Sequence, residues 1–195
     1  MSLRYLWNKL EQQDALEQEA YIKNIFKLFN ITPIYPVEDN FKNIPGKESK
    51  SKNPLGYLIM HLTPGQLQEL IPPYLIELLG YRPFETRDAQ LIDIVKEVVK
   101  NVQNMKPYVF FPFKSNYNDR LDVFNFGRKK YSDWSFLELC PYTLIPAMFR
   151  HLYKYFNITE YDDETGISHL AHAECNARMI QLIIMKYMKE DDNGS

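Results

Sequence analysis

Apolar residues recur at helical spacing along most of this chain, and strand-like alternation is nearly absent. Over residues 3 to 30, Leu6, Leu10, Leu16, Ile22, Ile25, Phe26 and Phe29 repeat roughly every third or fourth position among Gln and Glu, which predicts an amphipathic helix. Residues 87 to 105 put Leu91, Ile94, Val95, Val98 and Val102 on one face, the clearest such stripe in the chain, and leave Asp88, Asp93 and Glu97 as a solvated face. Three more helices are expected over about 117 to 131, 142 to 156 and 167 to 189, the second broken or kinked at Pro146.

Punctuation divides these stripes. Residues 31 to 56 carry four prolines and a Lys/Ser cluster without periodicity, so they read as an irregular connection. Within it, "PGKESKS" superficially suggests a phosphate loop, but that motif needs Gly five positions before Gly46, and Phe41 stands there. Thr63-Pro64, with Gln66 three residues after Thr63, is a capping-box start for a short helix. Pro72-Pro73 interrupts that helix, and Gly80 offers a terminal cap after "YLIELLG". The aromatic run "YVFF" is the one candidate for a short strand. The fold class is therefore all-α: a helical bundle with an irregular N-terminal connection. It divides into an N-terminal helical region, 1–110, and a second helical region, 111–190, expected to share one compact domain.

Composition narrows the functions available. A formal charge of -2 gives no global attraction to nucleic acid or anionic lipid, so DNA is not an expected partner and any anion site must be local. The N-terminus "MSLRYLWNKLEQQD" lacks a signal-peptide pattern and no run of about 18 apolar residues occurs, which leads us to expect a cytoplasmic protein without a membrane span. Two cysteines, Cys140 and Cys175, suit a reducing compartment better than a disulfide or zinc scaffold, and read as small buried apolar residues.

Candidate chemistry concentrates between residues 127 and 176, where three of the four histidines fall. In "YDDETGISHLAHAECNARM", the turn of about 100° per residue places His169, His172 and Asn176 on one helix face. Asp162, Asp163 and Glu164 precede that helix, where they either cap it or hold a cation. Lys129, Lys130 and Arg150 sit near the ends of the two preceding helices, as dipole-complementing charges or as phosphate ligands. Together these residue types suit hydrolysis of a phosphoanhydride. A divalent ion on the carboxylates neutralises the phosphates, cations stabilise the departing oxygens, and a carboxylate or imidazole orients water.

The ordered blocks "FNFGRKKYSDWSF", "AMFRHLYKYF" and "YDDETGISHLAHAECNA" resemble, over about residues 120 to 185, a phage-associated family of dATP/dGTP diphosphohydrolases. That family is similar to the all-α pyrophosphohydrolases of the MazG type, which use carboxylate-bound Mg²⁺. The resemblance implies cleavage of a purine deoxynucleoside triphosphate to monophosphate and pyrophosphate in the cytoplasm, which would be that of a host cell for a phage product. The matching positions are Gly127, Lys130, Tyr131, Trp134, Arg150, His151, Asp162, Glu164, Gly166, His169, His172 and Asn176. Chemistry then suggests the roles. Asp162, Glu164, His169 and His172 are the expected catalytic group, and with Asp163 the expected ligands of Mg²⁺ or Mn²⁺. Lys129, Lys130, Tyr131, Trp134, Arg150, His151 and Asn176 are expected at the substrate.

The chain differs from relatives where they carry a Gly-Glu pair before the turn glycine: Ile158 and Thr159 stand there, with Glu160 one place late. Two other readings stay open. One is a nucleotide- or protein-binding phage accessory factor without turnover. The other is a His/Asp-type phosphohydrolase, although no histidine here is followed by Asp. A homo-oligomer is also expected of a bundle this size.

Overall fold

A computed structural model describes residues 15–40, 54–70 and 86–193. It contains eight α-helices among those residues: α1 Ala15–Leu28, α2 Val37–Asn40, α3 Pro54–His61, α4 Pro64–Leu70, α5 Thr86–Gln103, α6 Tyr117–Tyr131, α7 Leu144–Asn157 and α8 His169–Asn193. Two 3₁₀ turns, Ser135–Glu138 and Pro141–Thr143, lead into α7. The all-α expectation holds. The "YVFF" run forms no strand, and the one β-bridge among the described residues joins Tyr161 to Ser168. The readings of residues 3–14, of "PGKESKS", and of Pro72-Pro73, "YLIELLG" and Gly80 lie outside the described residues.

Helix α7 forms the centre. Its Ile145, Met148, Phe149 and Leu152 are almost fully buried, and it packs on α8, α3 and α5. Each such side chain contributes roughly 1.5–3 kcal/mol through apolar burial, so a helix with eight buried residues in fourteen is held chiefly by packing. Pro146 does not kink it. The helix starts at Leu144, so Pro146 lies in the first turn, where its missing N–H has no intrahelical partner to lose.

The stripe over α5 packs as predicted, with Leu91, Val95, Val98 and Val102 in the core, but Asp88, expected on the solvated face, is buried and accepts from Asn157 Nδ2 at 3.1 Å. The helix ends at Gln103, two residues short of the expected end, and is closed by left-handed Met105 and by Lys106 N–H reaching back to Asn101 C=O. Helix α1 closes the same way, through Asn30 and an Ile31 N–H to Phe26 C=O bond of 2.8 Å.

The irregular connection needs correcting, because it holds helix α2 and the start of α3. Pro54 opens α3 at its first residue, and Tyr57, Leu58, Ile59 and Met60 are all buried. A helix buried on every side carries no amphipathic period, which is why the stripe test passed over it. The capping box at Thr63 and Gln66 is present in both directions, at 2.9 and 3.3 Å. Among the described residues no helix is long and apolar enough to cross a membrane.

Candidate functional site

The site forms where the loop after α7 folds back to start α8. Asp162 N–H bonds Ile167 C=O, Gly166 N–H bonds Asp162 C=O at 2.8 Å, and His169 N–H bonds Glu160 C=O at 2.8 Å. These bonds close a tight loop whose turn places Gly166 at φ +68°, a left-handed conformation that an L side chain would strain. The Asp162 side chain caps this turn through Thr165 N–H, at 3.2 Å. It does not cap α8, whose cap is Ser168, with its hydroxyl oxygen 3.2 Å from Leu170 N–H. The acid cluster and the helix N-terminus are thus separate features.

The loop brings Asp162 to two helices. From α8 come His169, fully buried, and His172, half-buried; from α7 comes buried His151, with Arg150 beside it and Lys154 one turn on. His151 Nδ1 lies 2.8 Å from His169 Nδ1, and Asp162 Oδ1 lies 3.7 Å from that same His169 atom. The His151 ring also stacks on His172, with centroids 4.7 Å apart and planes 11° from parallel. One ligand atom from each of His151, Asp162 and His169 falls within 4.8 Å of the other two.

The hydrogen bonds fix where the protons sit. Thr165 Oγ receives the Ile167 N–H, and its own proton goes to Asp162 Oδ2, which as a carboxylate only accepts. Its remaining contact, 2.9 Å from His172 Nε2, is therefore an N–H donated by the imidazole, so the lone pair of neutral His172 is on Nδ1. A guanidinium likewise only donates, so Arg150, 3.3 Å away, assigns a lone pair to His151 Nε2. Neutral His151 then carries its proton on Nδ1 and gives it to His169 Nδ1. That leaves the His169 proton on Nε2, a buried atom with no hydrogen-bond partner among the described residues.

Electrostatics keep the imidazoles neutral. Burial, reinforced by Arg150 and the neighbouring rings, pushes His151 well below its ordinary value; burial lowers His169 to about 4 and also lowers His172. Burial opposes ionisation of Asp162, but His172, the Thr165 bonds and His169 outweigh it and hold the carboxyl below the usual range. Lys154 is lowered by burial and by Arg150. The result is an anionic carboxylate among neutral imidazoles, the protonation state a metal ligand set requires. Two imidazoles with one carboxylate fit Mn²⁺, Fe²⁺ or Zn²⁺, whereas Mg²⁺ favours oxygen-only surroundings.

The remaining sequence candidates lie further out. Glu164 is exposed and hydrogen-bonded to Lys130 from the end of α6, and Asp163 and Lys129 are exposed. The Glu164 bond raises Lys130 against the effect of its partial burial. Tyr131 and Trp134 are 40% and 65% exposed, the latter left-handed and 5.9 Å from Phe136. Asn176 is buried on α8.

Two site residues, Thr165 and Lys154, were missed. Thr165 sits inside the acidic motif, and Lys154 follows Arg150 at the four-residue spacing that shares a helix face; that spacing was the available signal. Cys175 is buried as expected, and that burial pushes its thiol up to about 12, whereas Cys140 is only partly buried.

Residues 115–193, about two fifths of the chain, match the family model described as dATP/dGTP diphosphohydrolase, N-terminal. The match contains α6, α7, α8 and the whole loop that carries Asp162. No curated protein and no solved structure matches the chain.

Proposed function

We propose that this chain is a metal-dependent hydrolase that removes pyrophosphate from a purine deoxynucleoside triphosphate, dATP or dGTP. The observation that carries the reading is the convergence of Asp162, His151 and His169 with cationic Arg150 and Lys154, inside the segment that matches the diphosphohydrolase model. An ion held by Asp162, His169 and His151 would neutralise phosphate charge and lower the pKa of a bound water. The donor set favours Mn²⁺ over Mg²⁺.

Arg150 suits two phosphate oxygens at once through its planar fork, and Lys130 and Lys154 supply point charges. The His172 Nδ1 lone pair is free to accept a proton from water, because Thr165 holds the other ring proton. Exposed Tyr131 and Trp134 offer faces on which a purine base can stack.

The test is product analysis. Each dNTP is incubated with the protein and Mn²⁺ or Mg²⁺, and pyrophosphate is followed against phosphate and triphosphate. Pyrophosphate is expected, greatest from dATP or dGTP with Mn²⁺. Triphosphate or phosphate would point instead to a His/Asp-type reaction. Thermal stabilisation by nucleotide without any product would point to a binding protein. Asp162→Asn is expected to lower pyrophosphate release by at least about 100-fold, since even outer-shell partners of metal ligands are worth 10–100-fold. Full activity in that variant would remove Asp162 from the metal site.

A further inference from the structure

The proton order of the cluster conflicts with metal binding in one respect. His151 Nδ1 faces His169 Nδ1 and is the atom placed to bind an ion with it, yet it carries a proton. It does so because Arg150 donates to the other nitrogen, Nε2. Moving that proton to Nε2 would free Nδ1, but would set an N–H against a cationic N–H donor. The closed arrangement has its own strain: the lone pair of His169 Nδ1 faces Asp162 Oδ1 at 3.7 Å, and His169 Nε2 is buried with no partner among the described residues. Neither would be expected of a cluster that was solely a structural hydrogen-bond network, where buried polar groups are normally paired.

We propose that Arg150 gates this cluster. While it donates to His151 the site is closed to metal. When a phosphate oxygen draws the guanidinium away, the His151 proton shifts from Nδ1 to Nε2, and Nδ1 joins His169 Nδ1 and Asp162 in binding a divalent transition-metal ion. His151 stays neutral throughout, and no proton leaves the protein. Metal and phosphate then bind cooperatively, each strengthening the other by the same factor because coupling is reciprocal. The phosphate half rests on the hydrolase reading above; the metal half does not.

Only four histidines are present, so ¹⁵N-histidine spectra of the full chain can be assigned by single substitutions. Without metal, His151 is expected to be protonated on Nδ1. Adding Zn²⁺ with deoxyadenosine monophosphate should move that proton to Nε2 and shift Nδ1 of both His151 and His169. A His151 proton already on Nε2 without metal, or resonances that Zn²⁺ leaves unmoved, would overturn the gate.

Calorimetry supplies the second measurement. Deoxyadenosine monophosphate should tighten Zn²⁺ binding to the unmodified chain at least about fivefold, the lower end of typical coupling. Arg150→Met should bind Zn²⁺ that tightly without nucleotide and show no further gain. Equal Zn²⁺ affinities in the two proteins, with nucleotide absent, overturn the gate. The spectra of the unmodified chain decide the matter if Arg150→Met does not fold. Pyrophosphate release with unmoved His151 resonances removes the gate and keeps the hydrolase; moved resonances without pyrophosphate release do the opposite.

Discussion

Two histidine environments in this molecule differ in what the rings bond to. His61, in the N-terminal half, is fixed by backbone: its Nε2 accepts Ile34 N–H at 2.9 Å, and its Nδ1 donates to Tyr57 C=O at 2.7 Å. Its ring packs 4.9 Å from Phe26 and 4.6 Å from Tyr57. His151, His169 and His172 bond instead to side chains, to one another and to Arg150 and Thr165. Backbone partners cannot leave without unfolding, whereas side-chain partners can change rotamer. Both environments exclude charge, but only the second has groups that can be exchanged for a ligand and one buried nitrogen with no partner among the described residues.

The largest effect that tests this contrast is a pH dependence of stability set by His61. Burial lowers it to about 4 from an ordinary 6.5, against the Tyr57 carbonyl bond, which raises it. The unfolded chain therefore binds the extra proton first as pH falls. The stabilisation is complete above about 6.5 and is lost progressively down to about 4, where the folded form also protonates. Over that window the His61 share of the loss is at most about 3 kcal/mol, and His169, lowered to the same value, adds its own share. Urea unfolding at a series of pH values measures it, and His61→Phe should flatten this part of the curve. An unchanged curve in His61→Phe would assign the acid sensitivity to other groups.

The same substitution at the two places should then separate structure from site. His61→Phe leaves Ile34 N–H without its acceptor and is expected to cost about 1–3 kcal/mol at neutral pH. His169→Phe leaves one buried donor, His151 Nδ1–H, without its acceptor, whereas His61→Phe strips both Ile34 N–H and Tyr57 C=O of a partner, so the cost at His169 should be smaller, while Zn²⁺ binding is lost. Denaturation midpoints and calorimetry on both variants check this. A larger stability loss at His169 would make the cluster a structural element.

What was legible in the sequence follows the same division. Helix α5 and the second half of α8 bury one face and show their period, and the predicted bounds of α5, α6 and α8 lie within a few residues of the observed ones. Helix α3 has no polar face and begins with Pro54, so it read as a connection. At the site, the wheel on α8 and the ordered blocks brought forward His169, His172, Asp162, Arg150 and His151. Their grouping was not legible, because it depends on α7 crossing α8 and on the Gly166 turn carrying Asp162 back toward both. Asp163 and Glu164, adjacent to Asp162 in sequence, face outward for the same reason: a tight turn separates neighbours that a linear motif treats alike.

The smallest expected effect concerns Thr165, whose hydroxyl joins Asp162 to His172 and so couples the carboxylate to the ring that faces water in the proposed reaction. Thr165→Val keeps shape and removes both bonds, together with the acceptor of Ile167 N–H. Asp162 loses one hydrogen bond but keeps the Thr165 backbone N–H, so the loop should still form. Without its acceptor, His172 is free to exchange tautomers and loses the fixed Nδ1 lone pair. We expect pyrophosphate release to fall about tenfold, the low end for a group that orients a ligand, with kcat taking the loss and KM nearly unchanged. Thr165→Ser restores the hydroxyl and should recover most of the rate. A rate loss shared equally by Ser and Val would mean that the methyl group, packed in the turn, matters more than the hydroxyl, and would detach His172 from the carboxylate's chemistry.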